Sequence, residues 1–160
     1  MGGADLPLSA ELLSLLDVIS PNKTELKRIL NKTVDVQNKD EIICALHEMR
    51  NLSNNKDLNL LLKLGAHGCL YIDKENNIYT QNAFKFEDMP IVDTTGAGTY
   101  FLIVGDCFTA SFVTGLLEGK PIPEVLKFST ASAYVCISRF GAMPSLPNKG
   151  EVVALLEKTI

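Results

Sequence analysis

The stretch from Pro90 to Phe112 constrains the fold more than any other part of the chain. A short apolar strand (Ile91, Val92) leads into a glycine-containing turn from Asp93 to Gly98, and a long apolar run compatible with a helix follows. Strand, glycine turn and helix N-terminus are the arrangement by which a backbone presents unpaired amide N–H groups to an anion. The run Tyr100 to Leu117 carries one charge, Asp106, and approaches the length of a membrane span. A carboxylate at its centre and the lack of flanking Lys, Arg or aromatic belts predict a buried core helix instead.

On either side of this stretch the signals alternate between helix and strand. Ser9 is placed to cap a short helix through Leu16, and Asp17-Val18-Ile19 reads as a brief strand broken by Ser20-Pro21-Asn22. Asn22 with Glu25 three residues on, ahead of Leu26, Ile29 and Leu30, has the spacing of a capping box. A helix is expected over about 40–52, and the nearly unbroken apolar run Leu58 to Leu64 reads as a strand covered on both faces. Gly65-Ala66-His67-Gly68 closes it, Cys69 to Asp73 gives the next strand, and Glu75-Asn76-Asn77 turns into Ile78 to Thr80. Gly119 ends the long helix, Pro123-Glu124 opens another, and a last helix spans Glu151 to Glu157. The alternation predicts one domain of the layered α/β class with a largely parallel sheet.

With 160 residues, 46% hydrophobic and 21% charged, the chain has enough apolar material for a real core. A net charge of −4 with scattered Lys and Arg leaves no electrostatic footprint for DNA or RNA. Cys44, Cys69, Cys107 and Cys136 are widely spaced in apolar contexts, which predicts reduced, buried thiols and a cytoplasmic setting. No secretory signal is visible at Met1 to Pro7. His47 is expected on a helix rim and His67 exposed, and no His/Cys cluster has metal-ligand spacing.

In open α/β sheets ligands collect beyond the carboxyl ends of the strands. Three loops leave such ends: Ser20 to Asn22, Gly65 to Gly68, and Asp93 to Gly98. They offer an amide and a carboxylate, a glycine pair that lets a nucleotide approach the backbone, and a helix-terminal anion site followed by an acid. Such parts suit phosphoryl transfer, which needs charge neutralisation and a base for the attacking hydroxyl. Neither the phosphate loop ending Gly-Lys-Ser/Thr nor the fingerprint G-x-G-x-x-G is present, and Gly96-Ala97-Gly98 alone does not separate a phosphate cradle from a plain strand-to-helix turn.

The series Ser20-Pro21-Asn22-Lys23-Thr24-Glu25, Lys63 to Gly68, Asp93-Thr94-Thr95-Gly96-Ala97-Gly98 with Asp106, and Gly141-Ala142-Met143-Pro144-Ser145 resembles the C-terminal half of PfkB carbohydrate kinases of the ribokinase type. The resemblance covers essentially the whole chain. It implies a partial α/β/α ribokinase-like fold and ATP-dependent phosphorylation of a sugar such as D-ribose. Asp106 then matches the base, and Gly96, Ala97 and Gly98 match the anion hole. Asn22 and Glu25 match an Asn-x-x-Glu motif near Mg2+ and the nucleotide phosphates, and Lys63, Gly65 and Gly68 match the nucleotide-side loop. Asp93 and Thr95, main-chain oxygens near Cys136, Arg139 and Gly141, and the Ser145 side chain match a monovalent-cation site for K+.

Two departures accompany the resemblance. The family's sugar-binding and lid elements have no counterpart here, which implies an open sheet edge suited to self-association or a homodimer. The family pattern runs Gly-Ala-Gly-Asp without a gap, whereas Thr99 to Gly105 intervene here, and Gly98 or Gly105 can each be the glycine before the base. Either the helix starts early and carries Asp106 about 10 Å along its axis, or the added segment loops out. The alternatives to an active ribokinase are a non-catalytic fragment that binds nucleotide or a partner, and a kinase for another sugar or nucleoside.

Overall fold

In a computed structural model of the chain, which describes residues 8–84 and 97–158 and only the backbone of 97–103, most helices start where a side chain caps them. Ser9 accepts a hydrogen bond from the Leu12 amide and opens α1 (Ala10–Ser14). Asn22 opens α2 (Lys23–Leu30) and Asn38 opens α3 (Lys39–Ser53), each meeting amides that the first helical turn leaves without partners. The left-handed residues Asn31 and Asn54 end these two helices, a conformation asparagine tolerates better than most residues. The strand expected at Ile91 and Val92 and the turn from Asp93 to Gly96 lie outside the described residues.

Cα packing divides the chain into two units, Met1–Gly65 with Cys69–Tyr79, and Ala66–Gly68 with Thr80–Ile160. The first holds β1 (Val18–Ile19), β2 (Asn59–Lys63), β3 (Cys69–Ile72) and the first two residues of β4 (Ile78–Gln81), which form a four-stranded sheet in that order. β1 and β2 are parallel, with Val18 opposite Asn59 and Ile19 opposite Leu60. β2 and β3 are antiparallel, with Leu60 opposite Ile72 and Leu62 opposite Leu70. The sheet is therefore mixed, which corrects the expectation of a largely parallel one. The physical reason is the connection: Gly65 to Gly68 is far too short for the crossover a parallel neighbour requires.

The core of this unit gathers Leu13, Ile19, Leu26, Ile42, Leu46, Met49, Leu60, Leu62 and Ile72. Leu60, Leu61 and Leu62 are all buried, as an unbroken apolar strand predicts. Arg50 is the buried charge in this interior among the described residues. Its guanidinium donates to the carbonyl oxygens of Leu58 (2.9 Å) and Asp73 (2.7 Å) and to Asn76 Oδ1 (2.7 Å), fastening the β3–β4 hairpin to the start of β2. Burial lowers its pKa, opposed by the nearby Asp73 carboxylate.

The second unit is helical: α4 (Ala97–Leu117), α5 (Ile122–Ile137) and α6 (Lys149–Glu157), with a 3-10 turn at Met143–Ser145. Gly115 lets α4 and α5 approach closely, since a Cβ there would sit 3.0 Å from the Val125 methyls. Gly119 (φ +68°) terminates α4 as expected. Ala131, Val135, Val152 and Leu155 form the α5–α6 core. Cys69, Cys107 and Cys136 are buried, but Cys44 is exposed on the outer side of α3, so the expectation of four buried thiols holds for three. Among the described residues no helix is long and apolar enough to cross a membrane.

Candidate functional site

In the first unit the parallel pair β1–β2 brings two of the candidate loops together. Pro21 O accepts the Lys63 amide (3.0 Å), and Asn22 bridges to Lys63 in the parallel sense, so the pairing continues past the named strands. Asn22, at the start of α2, and half-buried Lys63, at the end of β2, thereby become neighbours. Sequence spacing alone offered capping for Asn22 and Glu25, and the capping box is formed. Asn22 Oδ1 accepts the Glu25 amide at 2.9 Å and Glu25 Oε2 accepts the Asn22 amide at 2.7 Å.

The box occupies one carboxylate oxygen. Glu25 Oε1 accepts no hydrogen bond among the described residues, and Glu25 is half-buried at a helix N-terminus beyond the strand ends. Magnesium is commonly held through one or two carboxylates, substrate phosphates and several waters. A single oriented carboxylate fits that demand, and no cluster of three or more acidic, His or Cys side chains able to cage a metal exists among the described residues.

Gly65 and Gly68 bound a 3-10 turn, both at positive φ (+60° and +86°). They differ in surroundings. A Cβ at Gly65 would meet open space, whereas one at Gly68 would lie 1.9 Å from Gln81 O and 2.7 Å from Ala83 N. In the second unit, Ala66, His67, Asn82 and Ala83 line an open depression of about 490 Å3. His67 is exposed, as expected, and His47 is half-buried on α3.

For Asp106 the structure has the early-starting helix. α4 runs without interruption from Ala97 to Leu117, so Ala97 and Gly98 stand in its first turn. Gly105 is inside the helix, where its carbonyl accepts Thr109 Oγ1 at 2.8 Å. Asp106 is exposed mid-helix, about 14 Å along the axis from Ala97 and close to two turns beyond a base that directly followed Gly98. The face is kept and the reach is lost.

Of the proposed cation ligands, Asp93 and Thr95 lie outside the described residues, as does Gly96 of the anion hole. The rest converge at the end of α5. Cys136 O accepts the Arg139 amide (3.3 Å), and Gly141 (φ +91°) turns the chain toward the buried Ser145. Ser145 Oγ donates to Ala142 O (2.7 Å) and touches Cys136 Sγ (3.3 Å). Carbonyl and hydroxyl oxygens suit a hard cation, so this partial set is compatible with K+. The Arg139 side chain is committed elsewhere: it forks onto Glu151 at 2.8 and 3.2 Å, holding that carboxyl below its usual range.

Sequence reasoning treated the cysteines as independent. In space Cys107 abuts Cys136, and its Sγ lies 3.7 Å from Ser132 O. Burial, reinforced by Cys136, pushes the Cys107 thiol up to about 12. Arg50 was also missed; its only sequence signal is a cation within an otherwise apolar helix face. Ser20 Oγ, at the end of β1, is buried without a hydrogen-bond partner.

The profile of the pfkB family carbohydrate kinases matches residues 4–149. The chain belongs to this family. It is similar to the ribokinase of Arabidopsis thaliana, 36% identical over the whole of this chain and 38% of the relative, and to that of Haemophilus influenzae, 31% identical over 94% of this chain and 44% of the relative. The structure of Arabidopsis thaliana ribokinase complexed with ribose and ATP superposes with a TM-score of 0.82 at 33% identity, covering 98% of this chain and 46% of that one. Ribokinase from Cryptococcus neoformans in complex with ADP gives 0.74 at 26% identity. The fold is the ribokinase-like α/β fold of the family, and the chain spans less than half the length of these relatives.

Proposed function

We propose that this chain is the nucleotide-side portion of an ATP-dependent sugar kinase of the ribokinase type, with D-ribose as the sugar and a cytoplasmic setting. What supports the reading is its likeness over nearly its whole length to the ribokinase solved with ribose and ATP, combined with Asn22, Glu25 and Lys63 gathered at one strand end. In such an enzyme Glu25 would hold magnesium on the nucleotide phosphates, and the Gly65–Gly68 turn would admit the nucleotide to the backbone. The amides of Ala97 and Gly98 at the start of α4 would face charge on the transferred group. Potassium would be held by oxygens around Cys136, Gly141 and Ser145.

One observation favours nucleotide binding over turnover in the chain as it stands. A base must come within about 3 Å of the hydroxyl it deprotonates, and the unbroken α4 carries Asp106 close to two turns beyond the position that follows Gly98. The expected behaviour is ADP binding with little phosphorylation across a panel of sugars and nucleosides. Calorimetry with ADP and an ATP-dependent phosphorylation assay check both halves. Absence of ADP binding sinks the nucleotide reading, and robust turnover abolished by Asp106→Ala sinks the displaced base.

A further inference from the structure

Ser20 Oγ is the one buried side-chain nitrogen or oxygen among the described residues that makes no hydrogen bond. Leaving a buried hydroxyl unpaired is unfavourable, and such groups in native structures call for a specific explanation. The local chain has removed the usual partners. A serine commonly turns its hydroxyl to a backbone amide one or two residues ahead. Pro21 has no N–H, the Asn22 amide is already donated to Glu25 Oε2 at 2.7 Å, and Pro21 O is occupied by the Lys63 amide at 3.0 Å.

The two contacts that engage the Asn22 amide and Pro21 O also build the strand end carrying Asn22, Glu25 and Lys63. Ser20 as a residue keeps part of its surface open, and its side chain has a single torsion with three staggered wells. Its present well contributes no hydrogen bond. No hydrogen bond therefore has to break for the hydroxyl to engage an oxygen bound beyond β1.

We infer that Ser20 is a binding residue whose hydroxyl pairs with an oxygen of the magnesium–phosphate group of a nucleotide bound at the C-terminal ends of β1 and β2. The inference rests on the nucleotide-binding reading and adds to it a hydrogen bond that Asn22 and Glu25 do not supply. The oxygen belongs either to the phosphate or to a metal-bound water, and the two sources are separable.

The test uses the full chain with Ser20→Ala and Ser20→Thr, titrated calorimetrically with ADP in magnesium and in a chelator, alongside thermal melts without ligand. Ser20→Ala is expected to weaken Mg–ADP binding about fivefold to tenfold, while Ser20→Thr stays within about twofold because it keeps the hydroxyl. The unliganded Ser20→Ala protein is expected to melt at the same temperature or higher, since an unsatisfied group has been removed. A loss confined to magnesium identifies a metal-bound water, and an equal loss in chelator identifies a phosphate oxygen. Wild-type affinity in Ser20→Ala overturns the inference, and so does a lower unliganded melting temperature, which would mean that a structural water satisfies the hydroxyl. If the wild type binds ADP under neither condition, the nucleotide reading itself fails and takes this inference with it.

Discussion

Gly65→Ala and Gly68→Ala place the same methyl group at two ends of one turn, and the structure assigns them different costs. Both positions have positive φ, +60° and +86°, where an L-residue is penalised by about 1–2 kcal/mol. At Gly65 that is the whole cost, because nothing lies within 4 Å of the new Cβ. At Gly68 the Cβ would stand 1.9 Å from the Gln81 carbonyl oxygen and 2.7 Å from the Ala83 nitrogen. Both are backbone atoms, so no side-chain rotation relieves the overlap, and the turn must separate from the end of β4. Overpacking of this kind adds about 1–3 kcal/mol, bringing Gly68→Ala to about 3 kcal/mol or more. In a domain of this size each kcal/mol moves the melting temperature about 2–4 °C, which predicts a drop of about 2–8 °C for Gly65→Ala and about 6–12 °C or more for Gly68→Ala. Paired urea and thermal denaturation of the two variants, with unchanged m-values, measures the difference. Equal losses would refute the reasoning, because they would mean that the turn does not lie against Gln81.

Two further outcomes concern buried and exposed charge. Arg50→Met fills much of the same volume but leaves the buried Leu58 O without its donor, whereas Asp73 O keeps the Asn76 amide and the Asn76 side chain is open to water; with about 1–3 kcal/mol for a buried group left unpaired, a loss of about 1–3 kcal/mol is expected by urea denaturation, and no measurable loss would show that water replaces the guanidinium. Glu118 is hydrogen-bonded by Lys120 and Lys149 at 2.8 and 2.9 Å, which lowers its carboxyl from 4.5 to about 2. A depressed acid contributes stability above its unfolded pKa and loses it as pH falls through the folded value. Wild type should therefore out-melt Glu118→Gln at pH 6, with the gap closing between about pH 4.5 and pH 2 and shrinking in high salt; a gap independent of pH would refute the assignment.

Local physics was legible in the chain. The Asn22–Glu25 box, the Ser9 cap, the Asn76 turn and the Gly119 stop each depend on groups within a few residues of one another, and each forms where the spacing puts it. The unbroken leucine run of β2 likewise announced a strand buried on both faces. The sheet direction was less legible, because alternation of helices and strands suggests crossovers and only the brevity of Gly65 to Gly68 forces an antiparallel neighbour.

By itself the sequence determined the element order, the α/β class and the motif series that marks the pfkB family, since periodicity, caps and glycine turns act over short spans. The tertiary structure decided which of those residues meet. Arg50 finds its acceptors up to 26 residues away, Cys107 meets Cys136 across two helices, and Lys63 reaches Asn22 only through parallel pairing. It also decided the fate of the segment Thr99 to Gly105. Either a loop or an early helix satisfied the sequence, and the backbone takes the helix: α4 is continuous through Gly105, with every residue of the added stretch inside it and Asp106 close to two turns beyond the position that follows Gly98.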